Sequence, residues 1–275
     1  MNEKLAFVIA HFHPNGKVDL SLQGLIKHFS TLTREIILVS TNINDDSKKS
    51  LTPYCKIIER ENYGYDFWSY KVGIDAINNR CRLDRLVLFN NSFICLDPIK
   101  LARNAFSEVK YNALRGITIS EEKSKHIQSY WLSVEGNDLL NSVTFNDFWN
   151  SMIPITNREK VIEKYEIGLS TKFLESGIEL HSIFQPTNEE NLIAICRAIA
   201  HGKIQTGEID ASFRINTNCG RALNPTHYLW DKVFKLTGII KLELIKANPA
   251  RQDIDLLISS LTEHELMIVQ DSLSN

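Results

Sequence analysis

Residues 61–73 read Glu61-Asn62-Tyr63-Gly64-Tyr65-Asp66-Phe67-Trp68-Ser69-Tyr70-Lys71-Val72-Gly73. The stretch changes character in its middle. Up to Asp66 it is a polar, glycine-bearing loop. From Asp66 to Ile77 it places Phe67, Tyr70, Ile74 and Ile77 on one side of a helix. A short strand-like run, Cys55 to Ile58, leads into the loop, and a longer one, Leu83 to Phe89, follows the helix. Strand, polar loop, helix and strand in this order are the unit from which a parallel sheet is built. The same unit recurs upstream. Leu5 to Ala10 is a buried-strand run, His13-Pro14-Asn15-Gly16 a turn, Asp19 to Phe29 a helix with Leu22, Leu25, Ile26 and Phe29 in phase, and Glu35 to Ser40 a β-branched strand. The expected fold class is α/β, with a mainly parallel sheet flanked by helices on both faces.

The second half is different. Ala113 to Ser120 and His126 to Ser133 read as two more strands, and Glu159 to Ser176 as a helix closed by Gly177. Asn191 to Ala200 is helical, and Asn224-Pro225-Thr226 precedes an aromatic-rich helix from His227 to Leu236. The tail from Asp253 to Leu273 is amphipathic, with Ile254, Leu257, Ile258 and Leu261 on one stripe. No repeat or linker divides the chain, so residues 1–275 are expected to form a single domain with a helical C-terminal third.

Composition limits the function. Of 275 residues, 43% are hydrophobic and 23% charged, values that exclude disordered and collagen-like chains. A net charge of −2 gives no overall field for nucleic acid, and no nucleic-acid partner is expected. The apolar runs are far shorter than the roughly 18 residues of a spanning helix. The start, Met1-Asn2-Glu3-Lys4, lacks the features of a signal peptide. A cytoplasmic location is therefore expected. Cys55, Cys81, Cys95, Cys196 and Cys219 are widely spaced and form no CxxC pair, which suits structural thiols in a reducing compartment and offers no zinc cluster.

In open α/β sheets ligands sit at the carboxyl ends of the strands. Three polar clusters fall at such ends: His11, His13 and Asn15 after the first strand, Glu61 to Asp66 after the third, and Asn90-Asn91-Ser92 after the fourth.

The 61–73 stretch resembles the E-N-x-G-Y-D-x-x-x-Y-x-x-G signature of the rhamnan synthesis protein F family, glycosyltransferase-like proteins of bacterial cell-surface polysaccharide and O-antigen assembly. Further stretches match in order. Leu88-Phe89-Asn90-Asn91-Ser92 resembles L-x-N-D-S. Gly116-Ile117-Thr118 and His126-Ile127-Gln128-Ser129-Tyr130-Trp131 resemble G-x-T and H-x-Q-S-Y-aromatic. Tyr165-Glu166-Ile167-Gly168-Leu169-Ser170 resembles Y-E-x-G-L-S. Asn224-Pro225-Thr226-His227-Tyr228-Leu229-Trp230, Lys241-Leu242-Glu243-Leu244 and Asn248-Pro249 are similar to its C-terminal signature. The resemblance spans nearly the whole chain. It implies a GT-A-like fold, with a nucleotide-sugar-binding half at 1–112 and an acceptor-side half with C-terminal helices at 113–275. It also implies transfer of a sugar, rhamnose from a dTDP-rhamnose-like donor, to a glycan or lipid-linked glycan. A soluble chain would meet such an acceptor by peripheral contact with the cytosolic face of the inner membrane. The competing implication is a catalytically weakened scaffold or sugar-binding subunit of a synthesis complex.

Transfer from a nucleotide sugar needs charge stabilisation on the leaving diphosphate and a base for the acceptor hydroxyl. Many GT-A enzymes hold Mg²⁺ or Mn²⁺ with an Asp-x-Asp at the position of Asn90-Asn91-Ser92. Here Asn91 replaces the family's remaining Asp, and the triplet carries no carboxylate. Either a metal is held weakly, or Lys or Arg cations take its place, or the copy is inactive. Lys241 and Arg251 are candidates to meet the pyrophosphate or the membrane surface, against simple solvation. By the same resemblance His11, Asn62, Gly64, Tyr65, Asp66, Asn90, Asn91 and Ser92 form the donor side. For Asp66 the alternative is a helix cap. Tyr63 and Trp68 join Tyr65 as stacking candidates, and Phe67 and Tyr70 are expected in the core. Glu166 is the candidate inverting base, against a merely solvated helix glutamate. His126, Gln128 and Tyr130 alternate along a strand, share one face and are read as the acceptor side. For His126 a structural role is the alternative.

Overall fold

The computed structural model describes residues 4–107, 112–121, 123–201 and 223–274. Its strands are β1 (Leu5–His11), β2 (Ile36–Ser40), β3 (Lys56–Glu59), β4 (Arg85–Asn90), β5 (Phe93–Cys95), β6 (Ala113–Gly116), β7 (Ile119–Ser120), β8 (His126–Ile127), β9 (Trp131–Glu135), β10 (Glu179–Ser182) and β11 (Ile239–Lys241). Every residue of β1, β2 and β4 is buried, including the polar ends His11, Ser40, Arg85 and Asn90, as in strands covered on both faces. They form the middle of a seven-stranded sheet of order β10-β6-β9-β4-β1-β2-β3, in which β9 alone runs antiparallel. This is the expected mainly parallel sheet.

Alternation along β1 separates two cores. Phe7 and Ile9 pack on one face with Phe29, Phe89 and Trp131. Ala6, Val8 and Ala10 pack on the other with Val39, Phe67 and Tyr70. The first face is covered by helix α1 (Leu20–Phe29), which Asp19 caps by accepting from Leu22 N–H. Helix α2 (Asp45–Leu51) joins β2 to β3. The second face is covered by α3 (Tyr65–Asp75), and Gly73 sets how closely it lies. A Cβ there would stand 2.2 Å from Val8 Cγ1, so only glycine lets α3 rest on β1. Helix α4 (Pro98–Phe106) follows β5.

Several sequence readings need correction. Residues 113–120 and 126–133 are not two strands. Each breaks: β6 and β7 are separated by a bend at Ile117-Thr118, and β8 and β9 by a turn at Ser129-Tyr130. Helix 158–175 forms where expected, but its middle, Ile162–Ile167, is a π-helical segment. It ends at Gly177, with Ile178 N–H donating to Phe173 O at 2.9 Å. The tail is two helices, Asp255–Ser260 and Glu263–Leu273, divided where Thr262 and Glu265 form a reciprocal capping box. Cys219 lies outside the described residues. Among the described residues, no helix is long and apolar enough to cross a membrane.

Candidate active site

A cleft of about 630 Å³ opens at the carboxyl ends of β3 and β4 and extends to the β8–β9 turn and the segment around β11. That volume suits a small-molecule ligand. Asp66, Asn90 and Ser92 line it from the first half of the chain, and His126, Gln128, Tyr130, Glu166 and Lys241 from the second.

The loop before α3 is built around Arg60. Its guanidinium donates to Glu61 O (2.7 Å), Tyr63 O (2.5 Å), Tyr65 O (2.8 Å) and Ser69 Oγ (2.7 Å), and lies 5.7 Å from the centroid of the Tyr63 ring. This clamp holds two consecutive left-handed residues, Gly64 (φ +77) and Tyr65 (φ +54). The second is a costly conformation for a bulky side chain. Gly64 is needed for space as well, since a Cβ would stand 2.6 Å from Trp68 Cβ. The turn delivers Asp66 into the cleft. Gly64 is the residue at the helix N-cap and no side chain caps α3, which removes the capping alternative for Asp66. The Asp66 carboxylate instead accepts from Asn90 Nδ2 at 2.6 Å. Burial raises its pKa, a rise that Glu166 adds to and that Asn90, Lys241 and Arg60 oppose.

Asn90 and Ser92 continue this chain. Asn90 Oδ1 accepts from Ser92 N–H (3.0 Å) and Ser92 Oγ–H (2.5 Å), and Ser92 Oγ accepts from Lys241 Nζ (2.9 Å). Lys241 arrives because β11 pairs antiparallel with β5 and sets Lys241 opposite Phe93. Its ammonium also lies 4.3 Å from the centroid of the Tyr130 ring. Burial pulls its pKa down to about 8, an effect that Glu166, Glu243 and Asp66 oppose and Arg158 reinforces.

On the opposite wall, the Tyr165–Ser170 motif fastens the 126–130 segment through Glu166 and Ser170, and the chain at Ile153 through Tyr165. Tyr165 Oη donates to Ile153 O (2.6 Å), Ser170 Oγ accepts from Ile127 N–H (3.0 Å), and Glu166 Oε1 accepts from Ser129 N–H (2.7 Å). The π-helical segment contains Tyr165 and Glu166, and such local bulges recur at functional sites. Tyr70 Oη donates to Ser129 O (2.9 Å), so both backbone groups of Ser129 are fixed. Tyr130 Oη donates to Thr118 Oγ1, whose own hydrogen goes to Gln128 Oε1, each at 2.7 Å. The Nδ1–H of His126 donates to Ser124 O (2.7 Å). The strand-face argument that grouped His126, Gln128 and Tyr130 does not hold, because the strand ends at Ile127. The turn nonetheless brings all three to the cleft.

Other expected donor-side residues lie elsewhere. His11 is 2% exposed, and both of its ring nitrogens are engaged, with Ser40 Oγ (2.9 Å) and Lys17 O (3.0 Å). It fixes the loop after β1, and burial lowers its pKa to about 4. Asn91 ties the β1 and β4 loops through Phe12 N–H and Phe12 O. Asn62 is exposed outside the cleft, as is Arg251. Tyr65 is on the rim, where its hydroxyl donates to Thr156 O (3.3 Å). Phe67 and Tyr70 are core residues as expected. Arg60, Arg158 and Thr226 were missed by sequence reasoning. Arg60 directly precedes the 61–73 motif, which was the one available signal.

A Mg²⁺ or Mn²⁺ ion needs several oxygen ligands, normally including carboxylates. Both Asn90 and Asn91 spend their amide oxygens internally, Ser92 Oγ accepts from an ammonium, and Asp66 is the one carboxylate hydrogen-bonded to the triplet among the described residues. No group of three His, Cys, Asp or Glu residues able to hold a metal occurs among the described residues. The triplet does not fit a divalent ion.

Comparison with known proteins agrees on family. The model of a family described as rhamnan synthesis protein F matches residues 36–201. A virulence protein, VirA, of Vibrio anguillarum is 30% identical over 223 residues, covering 78% of this chain and 70% of VirA. An uncharacterised protein, y4gN, of Sinorhizobium fredii is 25% identical over 190 residues, covering 65% of this chain and 48% of that protein. Among solved structures, the glycosyltransferase GlyE of Streptococcus pneumoniae is similar with a TM-score of 0.47 at 12% identity, covering 99% of this chain and 61% of GlyE. Glucosyl-3-phosphoglycerate synthase of Mycobacterium tuberculosis, solved with Mn²⁺ and UDP-glucose, gives 0.40 at 10% identity, covering 76% of this chain and 81% of that one.

Proposed function

The chain belongs to the rhamnan synthesis protein F family, and from that membership and the cleft we propose that it is a glycosyltransferase of bacterial cell-surface polysaccharide synthesis. The observation that carries the reading is the convergence in one cleft of an acid on the donor wall, Asp66, a carboxylate on the facing wall, Glu166, and a fixed cation, Lys241.

The donor is a nucleotide-activated sugar, with rhamnose from dTDP-rhamnose as first choice. The acceptor is a glycan, carried on a lipid in O-antigen or lipopolysaccharide assembly. The protein works in the cytoplasm and meets a lipid-linked acceptor at the inner-membrane face. Asp66, oriented by Asn90, contacts a donor hydroxyl. Glu166, oriented by Ser129 N–H, takes the proton of the attacking acceptor hydroxyl. A single base on the acceptor side supports an inverting displacement. His126 Nε2 and Gln128 stand where acceptor hydroxyls would be read. No step is assigned to a metal ion.

The second reading, a catalytically weakened scaffold that binds sugar within a synthesis complex, is favoured by one observation: Asn90-Asn91-Ser92 lacks every carboxylate. A donor screen separates the two. Calorimetry of the purified protein with dTDP- and UDP-sugars should show binding, and turnover with a glycan acceptor should follow. Binding without any donor cleavage would favour the scaffold, and no binding with or without Mn²⁺ would remove the transferase reading.

A further inference from the structure

We propose that Lys241 supplies the positive charge against which a nucleoside diphosphate departs, standing in for the divalent cation that Asn90-Asn91-Ser92 does not fit. The inference rests on the transferase reading above and goes beyond it by naming what stabilises the leaving group.

Strand pairing fixes where Lys241 stands. The β5–β11 pairing puts Lys241 beside the triplet, where its Nζ donates to Ser92 Oγ at 2.9 Å. Leu242 N–H donates to Ser92 O at 2.9 Å, so backbone and side chain are both registered on that serine. Ser92 donates to Asn90 and Asn90 to Asp66, which makes one hydrogen-bonded line from ammonium to carboxylate. The ammonium is thus aimed before any ligand arrives, and a pre-aimed charge needs no reorganisation when negative charge develops.

The ammonium also keeps hydrogen-bonding capacity in reserve. A lysine ammonium has three hydrogens, of which Ser92 takes one, and the Tyr130 ring covers one side at 4.3 Å. Asp66, Glu166 and Glu243 face it from three different elements, yet none of them forms an ion pair with it among the described residues. Arg158 and Lys246 line the same cleft, so an anion entering it meets further positive charge.

The bond accounting is that of a displacement. The acceptor oxygen forms a bond to the anomeric carbon, and its proton passes to the Glu166 carboxylate. The bond from that carbon to the β-phosphate oxygen breaks, and its electron pair stays on the diphosphate. Lys241 gives up no proton. It holds the oxygen on which that pair settles.

The test is calorimetry of the full chain with dTDP and with UDP, in EDTA and in excess Mn²⁺ or Mg²⁺. The wild type should bind in EDTA within about threefold of its affinity with metal, and Lys241→Met should weaken binding at least about tenfold in both buffers. Lys241→Arg, which keeps the charge, should stay within about fivefold of wild type. Ser92→Ala, which removes the pin but not the cation, should fall between them. Circular dichroism and unfolding midpoints confirm that each variant folds. Wild-type binding that requires Mn²⁺ or Mg²⁺, or Lys241→Met binding as wild type does, would overturn the inference and leave the transferase reading standing. Binding of neither nucleotide in any buffer would overturn both.

Discussion

The side-chain amide of Asn90 donates to Asp66 Oδ2 at 2.6 Å, joining the end of β4 to the first turn of α3 across the floor of the cleft. The bond orients the carboxylate without neutralising it. Burial of Asp66 therefore carries a cost for the fold, in the direction of its raised pKa.

Asp66→Asn should separate this cost from the proposed donor contact. Burial raises the Asp66 pKa, so the folded state holds its proton more tightly than the unfolded chain does. The group's stability contribution is therefore fully present below the unfolded pKa of about 4 and is lost as pH rises through the folded value. At pH 7 the asparagine variant should have an unfolding midpoint equal to or above wild type, with donor affinity at least about tenfold weaker. A lower midpoint with donor affinity retained would contradict the assignment.

Glu166→Gln keeps an oxygen to accept from Ser129 N–H, so the β8–β9 turn should survive. Loss of a general base costs about 10²–10⁴ in rate. The variant should bind donor within about threefold of wild type and lose turnover by that factor. Turnover equal to wild type would remove Glu166 from the chemistry.

Gly73→Ala tests the packing that places α3. The substitution gains about 1 kcal/mol of helix propensity, yet the new Cβ would meet Val8 Cγ1 at 2.2 Å. Overpacking of this kind costs about 1–3 kcal/mol. Chemical denaturation should show a net loss in the wild-type background and a gain when Val8→Ala is also present. A gain in both backgrounds would mean that α3 does not lie on β1 as described.

His11 should be an acid-sensitive lock on the β1 loop. Burial, with a smaller contribution from His13, lowers its pKa from 6.5 to about 4, against a bond to Lys17 O that raises it. The unfolded chain then takes up a proton between those values before the folded one does. Stability falls as pH drops from about 6.5 to 4, by up to about 3 kcal/mol for this group. His11→Gln, whose amide can still donate to Lys17 O, should lose less stability over the same pH range in urea unfolding. Equal losses would show that His11 does not titrate in this way.

The sheet was legible because its strands announce themselves. Leu5 to Ala10, Ile36 to Val39 and Leu86 to Phe89 are apolar throughout, the pattern of strands buried on both faces. The loops were harder to read. Asp66 and Glu166 were identifiable through their motifs, but nothing local says that Asp66 faces Asn90 instead of capping α3. Lys241 lies 149 residues from Ser92, and only the pairing of two three-residue strands joins them. Strands that short have no periodicity to detect. His11 misled for the opposite reason. It is polar and ends the first strand, but its bonds to Ser40 and Lys17 turn it inward.

The central claim is that this cleft holds a nucleotide sugar between Asp66 and Lys241. Crystals of the protein soaked with dTDP-rhamnose at millimolar concentration test it most directly. The account predicts electron density for the diphosphate within hydrogen-bonding reach of Lys241 Nζ, with the sugar between Asp66 and Glu166. A nucleotide ordered elsewhere on the molecule, or a cleft without nucleotide density, would contradict it.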